Sequence, residues 1–262
     1  MKKWYFILFQ FSLTSLFAQP KDFQLFGIRI NVPDLKMAED FYSGILHFQI
    51  ERKDPAQKTT WLKTNNYKIY LVESEDAIYL NEKGQGQVSL ALQVNNLDSS
   101  IAYLKSKNVE FIKEEKREEG IGWSIHILDP FGNALSLDQL NYTNLRVQEP
   151  SLYNCGLIVS DIDSALPNYE KLGLIITTRR YMPSDMPLYY TDKKFAFMLH
   201  RARPDMPSIS NPNMKLVLFT PNESILIECS KRGIIERLNG QYVMTDATGV
   251  KTEIRLVTNK TY

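Results

Sequence analysis

INVPDLKMAEDFY, Ile30 to Tyr42, closes an apolar run, turns at Pro33-Asp34 and enters a helical pattern. The chain says nearly the same thing again at Leu157, LIVSDIDSALPNY, where Asp161 stands 127 residues after Asp34. Two fainter copies follow the same grammar, LQVNNLDSSIAYL at Leu92 and LFTPNESILIECS at Leu218. The pivots Val32, Val94, Val159 and Thr220 are spaced by 62, 65 and 61 residues, an even period that marks an internal repeat. Each copy has an alternating apolar strand before the pivot, an Asp or Asn that can cap a helix, and then helical spacing.

After each predicted helix come further strand candidates. They read FQIERK, TTWLKT and YKIYLVES, then VEFIKEE, WSIHILD and ALSLDQL, then LIITTRRY, LYYTD and FAFMLHR, and last GIIERL, QYVMTD and KTEIRLV. Turn-forming text separates several of them, among it Asp129-Pro130-Phe131-Gly132-Asn133 and Asp246-Ala247-Thr248-Gly249. Each quarter is therefore expected to be βαβββ. The predicted organisation is a signal peptide over 1–18, an N-terminal domain over 22–140, a linker over 141–150 and a C-terminal domain over 151–258.

A chain of 262 residues with 44% hydrophobic and 23% charged content has ample material for two cores. Its formal charge of +1 supplies no whole-chain field for nucleic acid or an anionic membrane. The first residues are different in kind: Lys2-Lys3, an apolar run from Trp4 to Phe17, then Ala18-Gln19-Pro20. That layout predicts a secretory signal, cleaved near Ala18, and a periplasmic or extracellular mature chain without an integral membrane span. Cys155 and Cys229 carry no metal-site spacing, and each is expected to be a buried free thiol.

VPDLKMAEDFYSGILHF, ILDPFGNALSLDQ and VSDIDSALPNYEKLGL, with the eroded TDATGVKTEI, resemble the vicinal oxygen chelate superfamily of glyoxalases, bleomycin-resistance proteins and extradiol dioxygenases. The resemblance covers about Phe23 to Val257. It implies an α+β fold in which four βαβββ modules form two glyoxalase-like domains, with cup-shaped mixed sheets and helices on the convex face. It also implies a metal in each functional cup, held by side chains five residues before a pivot and seven residues after the turn aspartate.

Carried over by position, those places are Gly27, Ser89 and Ser136 in the N-terminal half and Asn154, Lys215 and Glu253 in the C-terminal half. They do not make a divalent-ion site, which needs about three suitable protein ligands. Neither a metal nor another cofactor is expected. Lys215 is expected to stand in for the metal's charge, held by Glu253 with Asn154 nearby. His47, His126 and His200 fall in three different elements without ligand spacing, and His200 is expected to face a cup. Strand alternation turns Arg29, Asn31, Gln93 and Asp138 toward the cups, and Trp61, Tyr70, Trp123, Tyr189 and Tyr190 are candidate walls.

The resulting expectation is an exported, metal-free protein that binds a small molecule through Asn154, Lys215, Glu253, Arg29, Asn31, Gln93 and Asp138. The sequence leaves open a homodimer and two rivals: a lyase or dioxygenase-type enzyme, including one using Glu253 as base with Lys215 as stabiliser, and a structural pair of domains with filled cups.

Overall fold

The computed structural model describes residues 24–64, 67–80, 86–119, 122–141, 150–174, 176–180, 186–191, 194–201, 211–238 and 240–256, with backbone alone at 24–26, 176–180, 186–191 and 194–196. The predicted signal peptide and most of the predicted linker lie outside them.

Strand, helix and three strands follow one another four times. The first quarter holds β1 (Gln24–Val32), α1 (Leu35–Glu39, prolonged by a π-helical turn Asp40–Ile45), β2 (Gln49–Asp54), β3 (Thr59–Thr64) and β4 (Tyr67–Glu73). The second holds β5 (Val88–Gln93), α2 (Leu97–Ser106), β6 (Arg117–Glu119), β7 (Gly122–Leu128) and β8 (Ala134–Leu140). The third holds β9 (Ser151–Ile158), α3 (Ile162–Lys171), β10 (Ile176–Arg180), β11 (Met186–Thr191) and β12 (Lys194–His200). The fourth holds β13 (Met214–Thr220), α4 (Glu223–Lys231), β14 (Glu236–Leu238), β15 (Gln241–Thr245) and β16 (Lys251–Leu256).

Each helix starts where a side-chain oxygen meets an orphan backbone N–H: Asp34 accepts from Met37, Asn96 from Ser99, Asp161 from Ser164 and Asn222 from Ser224. Each helix is also followed by a residue of positive φ, His47, Asn108, Gly173 or Gly233, which turns the chain back toward the sheet. VEFIKEE departs from its strand expectation. Only Phe111 bridges, to Ile127, and the charged text beyond stays exposed while β6 forms further on at Arg117.

The strands assemble into two eight-stranded sheets of order β14-β15-β16-β13-β1-β4-β3-β2 and β10-β11-β12-β9-β5-β8-β7-β6. Each is mixed: two parallel pairs, β1 with β4 and β13 with β16, meet at an antiparallel seam between β1 and β13, and β5 with β8 and β9 with β12 meet at β5 and β9. The first sheet thus joins quarters one and four and the second joins quarters two and three. The two sheets do not divide at the predicted linker. Every quarter offers the same kind of leading strand, so local pattern leaves the choice of partner open, and the seams are fixed by tertiary packing.

Ile28, Ile30, Leu90, Leu92, Leu157, Leu216 and Leu218 are fully buried, on the sheet faces that meet the helices. Leu104, Leu166 and Leu226 from α2, α3 and α4 join them in one cluster, which leaves the opposite sheet faces to form the cups. Two buried bonds tie consecutive quarters across the sheets: the Tyr42 hydroxyl donates to Asp129 at 2.8 Å, and Tyr169 to Asp246 at 3.1 Å. Cys155 and Cys229 are free and buried, and burial pushes the Cys155 thiol up to about 12. No helix among the described residues is long and apolar enough to cross a membrane.

Candidate binding cups

Pairing across the first sheet lays Arg52, Trp61, Tyr70, Arg29 and Lys215 in one row over β2, β3, β4, β1 and β13. Trp61 stacks on Tyr70 at 4.9 Å between ring centroids, with Arg52 over the outer ring and Arg255 5.0 Å above Tyr70. The next row sets Lys68, Gly27, Val217, Glu253 and Val243 side by side. Together these rows are the first cup.

Its centre is an ion cluster. Glu253, 2% exposed, accepts from Arg255 Nε through Oε1 and from Arg29 Nη1 through Oε2 at 3.4 Å. Arg29 also donates Nε to Asn31 Oδ1 at 2.7 Å. Burial works against the charge of Arg255, yet Tyr70 and Glu253 together hold its pKa above the ordinary value. The expected pairing of Lys215 with Glu253 is replaced: arginines hold the carboxylate. Lys215 lies half-buried opposite Arg29, and no described carboxylate is within ion-pair distance of it. Burial and then Arg29 lower its pKa.

Asn154 is not in this cup. It lies on β9 opposite Ala91 in the second sheet, 8% exposed, with its amide against Met198 Sδ at 3.3 Å and Oδ1 buried without a partner among the described residues. Gln93 and Asp138 share that second cup, paired across β5 and β8. Asp138 accepts from Ser136 at 2.7 Å and from Tyr153 at 2.8 Å. Tyr153 can reach inward because the β5–β9 register shifts there, between the pairs Ala91–Asn154 and Leu92–Leu152. His200 faces this cup: its Nε2 is 3.4 Å from Ser89 Oγ, over Gly156, where any Cβ would meet that nitrogen at 2.3 Å. His126 stands opposite Ser136 on β7, whereas His47 bonds Tyr103 at the end of α1, outside both cups. Trp123 is exposed on β7, and the side chains of Tyr189 and Tyr190 lie outside the described residues.

Register identifies which residues occupy the metal positions implied by the resemblance. In the first cup they are Gly27, Tyr70, Lys215 and Glu253, and in the second Ser89, Ser136, Asn154 and Met198. A divalent ion does not fit the first set. A Cβ on residue 27 would sit 1.8 Å from the Lys68 carbonyl oxygen, so no ligand side chain can be placed there. Glu253 has both oxygens engaged by guanidinium groups, and Lys215 is a cation. The second set offers hydroxyls, an amide and a thioether, which are poor ligands for such an ion. Among the described residues no three His, Cys, Asp or Glu side chains are grouped to hold a metal.

Arg255 is the member of the cluster that sequence reading passed over. The alternation in KTEIRLV puts it on the same strand face as Glu253, which was signal enough. Cavities of about 510 and 260 Å³ open elsewhere, beside α1 and α2, and none of the expected binding residues lines them.

A family model described as the Glyoxalase/Bleomycin resistance protein/Dioxygenase superfamily matches residues 24–137. Glyoxalase I of Zea mays superposes with a TM-score of 0.65 at 18% identity, over 88% of this chain and 92% of that one. A Bacillus subtilis protein described as a dioxygenase gives 0.61 at 14% identity, over 90% and 86%. At such identities the likeness is one of fold. No curated protein matches the chain. The family model thus places residues 24–137, the first two quarters, in the Glyoxalase/Bleomycin resistance protein/Dioxygenase superfamily, and the chain as a whole shares the fold of these solved structures.

Proposed function

We propose that this is an exported, small-molecule-binding member of the superfamily that works without a divalent metal. One observation carries the reading: the Glu253 carboxylate, at a metal-ligand position, is clamped by Arg29 and Arg255 with Lys215 alongside. A dication there would have to displace two guanidinium groups and tolerate an ammonium, against Coulomb repulsion in a partly desolvated site. The same clamp argues against Glu253 as a general base, since both of its oxygens already accept charge-assisted hydrogen bonds. The second cup, with the part-exposed Ser89, Ser136, Met198 and His200, offers the more open polar surface for a neutral ligand. Export is supported by Lys2-Lys3, the apolar run and Ala18-Gln19-Pro20.

Native mass spectrometry with elemental analysis of the mature protein from its own host tests this. The expected result is a retained organic molecule and less than stoichiometric metal. One tightly held Mn, Fe, Ni or Zn ion per chain sinks the proposal. The low exposure of Tyr70, Val217 and Glu253 favours a second reading, in which the first cup is filled purely as structure. That reading predicts no ligand response at Lys215.

A further inference from the structure

We propose that the first cup is an anion site in which Lys215, with Arg29 beside it, receives the carboxylate or phosphoryl oxygens of a small molecule. The inference rests on the reading of the cup as metal-independent and names its ligand class.

The charges are unbalanced in a way that folding alone does not require. Lys215 and Arg29 are directly opposite each other across the β1–β13 seam, and like charges so placed repel. Among the described residues, the charges acting on Lys215 are the cations Arg29 and Lys251 against the carboxylates Glu253 on β16 and Asp76 just after β4, and Arg255 shares Glu253. Glu253 is committed to the two arginines, and Asp76 makes no ion pair with Lys215. Among the described residues the ammonium therefore keeps three donors for an incoming group, and Arg29 spends two of its five N–H donors, on Asn31 and Glu253. Two adjacent cations of different shape, set on rigid strands and partly screened from water, suit an oxyanion. Removing half the water from Lys215 without supplying a counter-ion is a standing cost, and a bound anion would offset it.

The lowered pKa of Lys215 gives the site a pH signature. Below that pKa the ammonium is present and the anion binds. Binding falls as pH rises through it.

Titration calorimetry on the mature protein in a phosphate-free buffer at pH 7, with benzoate, inorganic phosphate and the neutral benzamide, tests the site. Benzoate or phosphate is expected to bind at least about tenfold more tightly than benzamide. Lys215→Met is expected to weaken the preferred anion by about tenfold or more and Lys215→Arg to retain it. Relief of repulsion with Arg29 should also give Lys215→Met an equal or higher urea midpoint, which separates lost binding from lost folding. Neither anion binding more tightly than benzamide, no heat with either anion, or unchanged affinity for the preferred anion in Lys215→Met overturns the anion site. None of these outcomes touches the metal-free reading, which stands or falls on the metal content above.

Discussion

Glu253 shows how much a single side chain can decide. It is 2% exposed, yet it remains tolerable because two guanidinium groups meet its two oxygens. Glu253→Gln keeps the shape and removes the charge, leaving Arg29, Arg255 and Lys215 to repel one another around a neutral amide. Breaking such a cluster from one side should cost about 3 kcal/mol, read as a lower urea midpoint with an unchanged slope. Stability equal to the native protein would mean that the arginines are solvated and the clamp contributes nothing. Gly27 matters by what it lacks, because β4 passes so close that its carbonyl occupies the space of a side chain. The residue types at the implied ligand positions were plain in the sequence, and the expectation of a cup without metal rests on them. What they could not reveal was that Asn154 and Lys215 face different cups.

At the scale of elements, the local text was almost fully legible. Four caps, four pivots and the alternation of the strands follow from spacing and turn chemistry alone. The same rule gives a test: Asn96→Ala removes the acceptor for the Ser99 N–H, 2.9 Å away, and should lower stability by about 1 kcal/mol. Amide exchange should show the loss concentrated in the first turn of α2. A change spread evenly over the chain would count against a local capping role. VEFIKEE was misread because apolar alternation through Val109 and Phe111 suggests a strand, while the following Lys113 to Lys116 are better satisfied by water than by a ladder. Strand partners were illegible for a physical reason: β1, β5, β9 and β13 are near-equivalent leading strands, and nothing in their sequences chooses among seams.

For the whole molecule, two kinds of link run in different directions. Sheets join quarters one with four and two with three, while Tyr42 to Asp129 and Tyr169 to Asp246 join one with two and three with four. Burial raises the pKa of Asp129 despite hydrogen bonds from Asn133, Tyr42 and Phe131. The folded chain then holds that proton more tightly than the unfolded one. Stability accordingly falls as pH climbs from the ordinary aspartate range through the raised value, and returns on acidification. Tyr42→Phe takes a donor from this carboxylate and should cost about 1–2 kcal/mol at neutral pH, shrinking as the solution is acidified and the carboxyl becomes neutral. Urea melts at pH 7 and pH 4.5 would show it, and a penalty that grows in acid would refute the assignment.

The order of strands also bears on how the protein comes into being. Partners in the first cup, such as Arg29 and Glu253, lie 224 positions apart, so a chain emerging from its N-terminus can pair β1 with β4 early but presents the other edge of β1 long before β13 can dock on it. The middle quarters can close their own sheet meanwhile, and the outer one must wait with a raw edge exposed, slow to mature and open to mispairing. Loss of the chain from β13 onward would therefore damage the beginning of the protein as much as its end.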